Sequence, residues 1–429
     1  KMEGDVVNHR KNVFEIGLCL MLVLFAGIGI AGASQQSQKF AGTKLVILSA
    51  SDGLPDARII SPYIPAFEEE TGIKVDFIEL GGEALHSKVA TLFAARSPEV
   101  DLVWSYAGWA AEFGSAGYLE DITDWIEPDL RADLNPAMNA VSYMGRIYGL
   151  PRFLSIRLLV YNKRILGQVG LDPNAPPTTW DEYVEIAKKC TRDTTGDGKI
   201  DQWGVLNQYG RPDSCFLTFQ EIFVLTGGSM FDHNHNPVFG GKEGLLALKK
   251  LVELHELGVV DPASFGIASG NDQRAHFAQG NSAMEFGWVA DYAYANDPNV
   301  SKFAGDVGIS ILPGLVLESG SMDGSEGYVI SKFSHNKEAA YEFLKFMTRP
   351  EIQEDMCLRT GWMPVRESVF SSPQLRAANP LVDYIAEQMQ YRVYRFAAPY
   401  AEEVIDMFGG EILKAVKLVK SPEDAIADS

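Results

Sequence analysis

Pro62-Tyr-Ile-Pro-Ala-Phe-Glu-Glu-Glu-Thr-Gly-Ile-Lys-Val-Asp-Phe77 carries a helix and then a strand in one short run. Pro62–Glu70 reads as the helix, and beyond Gly72 the apolar Ile73, Val75 and Phe77 alternate with Lys74 and Asp76, the period of a half-buried strand. Upstream, Lys44–Leu48 is a short apolar strand; downstream, Glu83–Ala95 reads as another helix. The same alternation continues along the chain. Thr179-Trp-Asp-Glu182 has the T-x-x-E spacing of a capping box and opens a helix through Lys189. Ala340, Phe343, Leu344 and Met347 fall at i, i+3, i+4 and i+7, one face of a helix that Pro350 ends or interrupts. Strands interleaved with helices of this length predict an α/β fold with largely parallel sheets.

The N-terminus has a different character. Arg10 and Lys11 precede an unbroken apolar run from Ile16 to Gly32 that closes on Ala31-Gly-Ala33, the pattern of a secretory signal peptide cleaved after Ala33. The rival reading is an uncleaved membrane anchor. No Cys follows the site to carry a lipid, and Cys19 leaves with the signal. The segment takes Lys1, Arg10 and Lys11 with Glu3, Asp5 and Glu15, so the mature chain keeps the whole net charge of -20. That acidity, with no basic stripe to offset it, argues against nucleic acid and anionic lipid as partners. The remaining length exceeds what one hydrophobic core usually serves, so two domains are expected. For Cys190, Cys215 and Cys357 the sequence leaves two readings open, a Cys190–Cys215 bridge and buried free thiols.

Several segments in order then resemble one family. They are Phe67 to Val75, Pro98-Glu-Val-Asp-Leu-Val-Trp104, Gly117-Tyr-Leu-Glu-Asp-Ile122, Tyr148-Gly-Leu-Pro151 and Tyr161-Asn-Lys163. Thr179-Trp-Asp-Glu182, Gly280-Asn-Ser-Ala-Met284, Glu338 to Phe346 and Gly361-Trp-Met-Pro364 follow. From about Lys44 to the last residue the chain resembles bacterial extracellular sugar-binding proteins, the receptors of ABC importers. The resemblance implies a two-lobe periplasmic-binding-protein type II fold with a hinged ligand cleft, residues 43–152 with 325–372 forming one lobe and 153–324 with 373–429 the other. Chain crossings are expected near Arg152–Leu154, Ser321–Gly324 and Ser371–Pro373, and the family's last helix usually continues past Ser429. It further implies a carbohydrate ligand, permease subunits of an importer as partners, a monomer, and a periplasmic or extracellular location.

A sugar offers hydroxyls that need directed hydrogen bonds and C–H faces that stack on aromatic rings, so the cleft should combine rings with a few placed polar groups. In similar proteins a strand end like that of Trp104 and a turn like that before Trp288 deliver such rings; core packing is the rival reading for Trp104, Tyr106 and Trp109. Asp291 is a candidate hydroxyl acceptor or else a helix cap. Asp52, after the first strand, and Glu83, after the second, stand where open α/β sheets bind ligands, although Asp52-Gly53 also suits a plain turn. The resemblance adds Tyr209, Arg211, Gly327 and Tyr328, the last where many relatives carry Trp, together with Trp362. Arg152, Arg157, Arg211, Arg392 and Arg395 cluster near the expected cleft; they suit a carboxylated or phosphorylated sugar, or else form ion pairs on an acidic protein, and a neutral oligosaccharide is the expected solute.

Asp193-Thr-Thr-Gly-Asp-Gly-Lys-Ile-Asp201 places Asp193, Thr195, Asp197 and Asp201 at positions one, three, five and nine of a calcium loop, with the Lys199 carbonyl at seven. Gly204 stands at twelve in place of the bidentate Glu, so a structural Ca2+ and a plain polar turn are both open; no other cofactor is expected. His233-Asn-His235 reads as a solvated turn rather than a metal site. A secreted glycoside hydrolase is the competing function class, and it would need two carboxylates facing one glycosidic bond. No Gly-x-Ser-x-Gly or metalloprotease motif occurs, and no enzyme activity is expected. A receptor for chemosensing shares the same cleft.

Overall fold

The computed structural model describes residues 39–51, 59–232, 236–379 and 381–429. The expected signal segment, Asp52 and the His233–His235 turn therefore lie outside the described residues. The strands are β1 (Lys44–Ala50), β2 (Lys74–Leu80), β3 (Leu102–Ser105), β4 (Ser142–Tyr143), β5 (Arg146–Ile147), β6 (Gly149–Phe153) and β7 (Arg157–Asn162). They continue as β8 (Trp203–Leu206), β9 (Ser282–Trp288), β10 (Val307–Ser310), β11 (Ser321–Asp323), β12 (Glu326–Ile330) and β13 (Arg392–Tyr394).

Two sheets divide the chain. The first runs β2-β1-β3-β12-β6 and the second β10-β7-β9-β8. In the first, Leu45 and Ile47 of β1 are buried, while β2 at the edge stays half-exposed along most of its length, as the alternation of its sequence implies. Leu102, Val103, Val329, Ile330 and Phe343 join Leu45 and Ile47 in one core. The capping box forms at Thr179, whose hydroxyl accepts from the Glu182 amide at 3.3 Å, and its helix, Trp180–Cys190, packs into the second core with Phe216, Phe219 and Phe408. One helix ends at Met347 and another starts at Pro350, since proline suits a first turn and not a helix interior.

The sheets are mixed rather than largely parallel. β1 pairs parallel with β2 and β3, and β8 with β9, but β12 runs against β3 and β6, and β7 against β9 and β10. β7 and β12 are the first strands after the chain changes lobes, so each enters its sheet from the cleft side, opposite to strands that follow a local helix.

The crossings sit at Leu154–Ile156 and at β11 to β12, close to the first two expected positions. The third falls later than Ser371–Pro373. Leu375, Leu381, Val382 and Ile385 are buried in the first core, and the chain passes over at β13, which pairs parallel with β11 to make a small hinge sheet. Helix Ala401–Val416 then closes the second lobe against helix Pro212–Phe223; a Cβ on Gly409 would lie 2.0 Å from the Pro212 carbonyl oxygen, so only glycine permits that approach. Cys190, Cys215 and Cys357 are free and buried, and burial pushes each thiol up to about 12. No helix among the described residues is long and apolar enough to cross a membrane.

Candidate functional site

The carboxyl ends of β3 and β9 face the hinge, where open α/β sheets bind ligands. A cavity of about 230 Å³ opens there, walled by both lobes. Arg152 and Phe153 of β6, Glu326 of β12, and Trp362 and Met363 line it from the first lobe; Leu217, Ser269–Asn271, Arg274 and Trp288–Ala290 line it from the second. Gly324 of the hinge and Arg395, just past β13, complete it.

Trp288 ends β9 and precedes helix Val289–Ala295. The wholly buried Arg157 lies under its ring, 3.8 Å from guanidinium carbon to ring centroid, donates to the Phe286 carbonyl at 2.8 Å and pairs with Glu221 at 2.7 Å. Asp291 accepts from the Trp288 amide at 2.7 Å and from Arg274 Nε at 2.9 Å, and its side chain is fully buried. It acts as the cap and fixes the ring, with no surface left to take a hydroxyl, because an acidic side chain three residues into a helix meets the free amides there. Burial pushes Glu221 up to about 7 against the pull of Arg157. Glu285, behind them on β9, is driven well above the carboxylate range by burial and by Asp291.

On the opposite wall Glu326 gathers two neighbours. It accepts from Trp104 Nε1 at 2.7 Å and from Arg152, so Trp104 reaches the cleft through Glu326 rather than lining the cavity itself. Trp362 lines the cavity edge-on to Phe153, with Arg152 4.7 Å above its ring. Tyr106 is buried; its hydroxyl donates to Glu402 at 2.6 Å and Arg395 lies 4.3 Å from its ring centroid, so it is a platform for a lining residue. Trp109 packs in the first core.

Other expected residues stand elsewhere. Tyr209 is buried in the second core between His255 and Phe265, its hydroxyl accepting from Asn207 at 2.8 Å, because the loop that carries it folds inward. Arg211 precedes helix Pro212–Phe223, pairs at 2.8 Å with Asp213 and is not among the cavity's lining residues. Tyr328 lies beside Trp104 in register but points into the first core, sharing a 2.8 Å hydrogen bond with Ser49. Gly327 is held by packing: a Cβ there would sit 2.5 Å from Val141. Glu83 belongs to the first turn of helix Gly82–Ala94.

The Asp193 loop closes on itself. Asp193 accepts from the amides of Thr195, Gly196 and Gly198 at 3.0, 2.6 and 2.6 Å, which holds its carboxyl below the usual range. Asp201 takes the Thr194 amide at 2.8 Å and Asp197 the Lys199 amide at 2.9 Å. Among the described residues no three His, Cys, Asp or Glu side chains converge as a metal cage. These bonds engage the carboxylates in the way Asx turns do.

Sequence reasoning passed over Glu326, Arg274 and Ser269–Asn271. The last had a signal: Ser269-Gly-Asn-Asp272 is an S-x-x-D helix start, and the Ser269 hydroxyl does accept from the Asp272 amide at 3.2 Å.

The comparisons with known proteins agree with this geometry. A probable amino-acid ABC transporter periplasmic-binding protein of Sinorhizobium fredii is 26% identical, over 98% of this chain and 96% of the relative. A maltotriose-binding protein of Pyrococcus abyssi is 24% identical over 77% and 68%, and a mannitol-binding protein of Pseudomonas aeruginosa 26% identical over 72% and 71%. Among solved structures, maltose-bound MalE3 of T. maritima superposes with a TM-score of 0.78 at 26% identity, covering 90% of this chain and 98% of that one. The family model described as bacterial extracellular solute-binding protein matches residues 63–382, and with its two lobes and hinged cavity the chain belongs to that family.

Proposed function

We propose that the protein captures a carbohydrate or polyol in the interlobe cavity and presents it to the membrane permease of an ABC importer. The observation that carries this reading is the cavity itself: two tryptophan rings, Trp288 and Trp362, stand on walls from different lobes, interleaved with polar side chains on both. Rings stack on sugar C–H faces while Arg152, Asn271, Arg274 and Glu326 meet hydroxyls. Relatives whose names specify maltotriose and mannitol support the class. The cavity is smaller than the roughly 300–1,000 Å³ of drug-sized sites, which favours a small solute over a long chain. The matched family is one of solute-binding proteins, which supports a solute that leaves the cavity unchanged. The working form is a monomer outside the cytoplasm, freed of its signal after Ala33.

A thermal-shift screen against sugars and alditols tests the reading. A bound solute at a hundredfold excess over Kd adds about 2.7 kcal/mol of stability, and X-ray scattering should show compaction as the lobes close. Turnover of the bound sugar by the purified protein would refute it.

A further inference from the structure

The arginines that cluster around the cleft divide in the structure. Arg152 is bound to Glu326, Arg157 to Glu221 at 2.7 Å and Arg211 to Asp213 at 2.8 Å, and Arg392 lies 3.8 Å from Asp323. These four neutralise protein carboxylates. Arg395 does not: among the described residues it makes neither ion pair nor hydrogen bond, and its guanidinium rests 4.3 Å from the Tyr106 ring centroid while lining the cavity.

The rest of the lining sharpens the contrast. Three guanidinium groups, of Arg152, Arg274 and Arg395, face the cavity against the single carboxylate of Glu326, in a chain whose net charge is -20. Arg152 is engaged by Glu326, and Arg274 by Asp291 at 2.9 Å and by Asn271 Oδ1 at 3.0 Å. Among the described residues no group engages the N–H fork of Arg395, and a planar fork matches a carboxylate in bidentate fashion. Its platform is firm, since the Tyr106 hydroxyl is tied to Glu402 at 2.6 Å.

We infer that the solute is a polyhydroxylated carboxylate, a sugar acid, whose carboxylate is received by Arg395 while its hydroxylated body lies between Trp288 and Trp362. This rests on the carbohydrate reading above and narrows it to an anionic class.

Calorimetry on the full chain decides it, with D-glucuronate, D-galacturonate and D-gluconate set against D-glucose, D-galactose and D-glucitol, and with glucose 6-phosphate and L-glutamine as further probes. The expected result is binding of at least one acid with no measurable binding of its neutral counterpart. Arg395→Gln should then weaken that acid roughly ten- to hundredfold, the worth of a charged hydrogen bond, and Arg395→Lys should recover part of the loss. Arg211→Gln, at an arginine paired with Asp213 and outside the lining, should leave affinity unchanged. Equal binding of a neutral sugar or alditol overturns the anionic assignment and leaves the carbohydrate reading standing. Binding of glucose 6-phosphate alone overturns the carboxylate, binding of L-glutamine alone overturns both readings, and a panel without any binder counts against the sugar acid. Full acid affinity in a folded Arg395→Gln protein also overturns it.

Discussion

Gly324→Ala tests whether the hinge and the cleft ring are one mechanical unit. A Cβ at this position would lie 2.2 Å from Trp288 Cζ3 and 2.3 Å from Cη2. Carbon atoms rest at about 3.5–4.0 Å, so the ring would have to retreat by roughly 1.5 Å. It has little room to do so. Arg157 lies 3.8 Å beneath its face, and Asp291 anchors its amide at 2.7 Å. The hinge cannot yield easily either, because the Gly324 amide donates to the Ser155 carbonyl at 2.8 Å across the crossing strands. Overpacking of this kind costs about 1–3 kcal/mol. We expect a lower melting temperature, a changed tryptophan emission spectrum and a solute affinity reduced by roughly tenfold or more, since a displaced ring no longer faces its partner. Calorimetry and a melting curve on the same preparation read all three. Unchanged affinity, spectrum and melting temperature would mean that the Trp288 ring is not held between Gly324 and Arg157.

Tyr209→Phe removes the hydroxyl that accepts from Asn207 and should cost about 1 kcal/mol of stability while leaving solute affinity unchanged; a loss of affinity would return Tyr209 to the cleft. For Glu221 the sign runs with acid: its folded value, about 7, exceeds its ordinary 4.5, so the native state holds the proton more tightly and this contribution is fully present below the ordinary value and lost as pH rises through 7. The shift corresponds to about 3 kcal/mol, and Glu221→Gln should flatten the stability profile between pH 4.5 and 7, as denaturant titrations across that window would show. The Asp193 loop, with its carboxylates bonded to its own amides, should melt at the same temperature in excess calcium and in excess chelator; a rise with calcium would mean that the loop reopens around the ion.

Much of the scaffold was legible because it follows from local pattern. Period-two alternation located β2, the T-x-x-E spacing located the Trp180–Cys190 helix, and the i, i+3, i+4, i+7 stripe of Ala340 to Met347 is the buried face of its helix. Strand direction was not legible in the same way. β7 and β12 run against their neighbours because they return from the other lobe, and no local pattern records where a strand comes from. The site divides along the same line. Trp288 and Trp362 do line the cavity, but whether a side chain at such a position faces solute or core depends on long-range packing: Tyr328 and Tyr209 turned inward, and Asp291 was taken by the amide three residues before it. Glu326 escaped notice because its importance comes from Trp104 and Arg152, which are distant in sequence and meet it only across the sheet.

The charges beneath Trp288 look expensive. Arg157, Glu221, Glu285 and Asp291 are almost wholly removed from water, and neither oxygen of Glu285 has a hydrogen-bond partner among the described residues. Buried ion pairs often stabilise a fold less than apolar residues of the same volume would. Their worth here is positional. Arg157 sets the height of the Trp288 ring, Glu221 and the Phe286 carbonyl fix Arg157, and Asp291 holds both the ring's amide and Arg274. Two guanidinium groups stand against three carboxyls in an apolar layer, and burial together with the Asp291 carboxylate raises Glu285 above its ordinary value. A receptor whose lobes must part and close needs one wall of its cleft to stay rigid through the motion. The layer provides that rigidity on the second lobe, and the absence of a side chain at Gly324 is what lets the hinge pass against the ring.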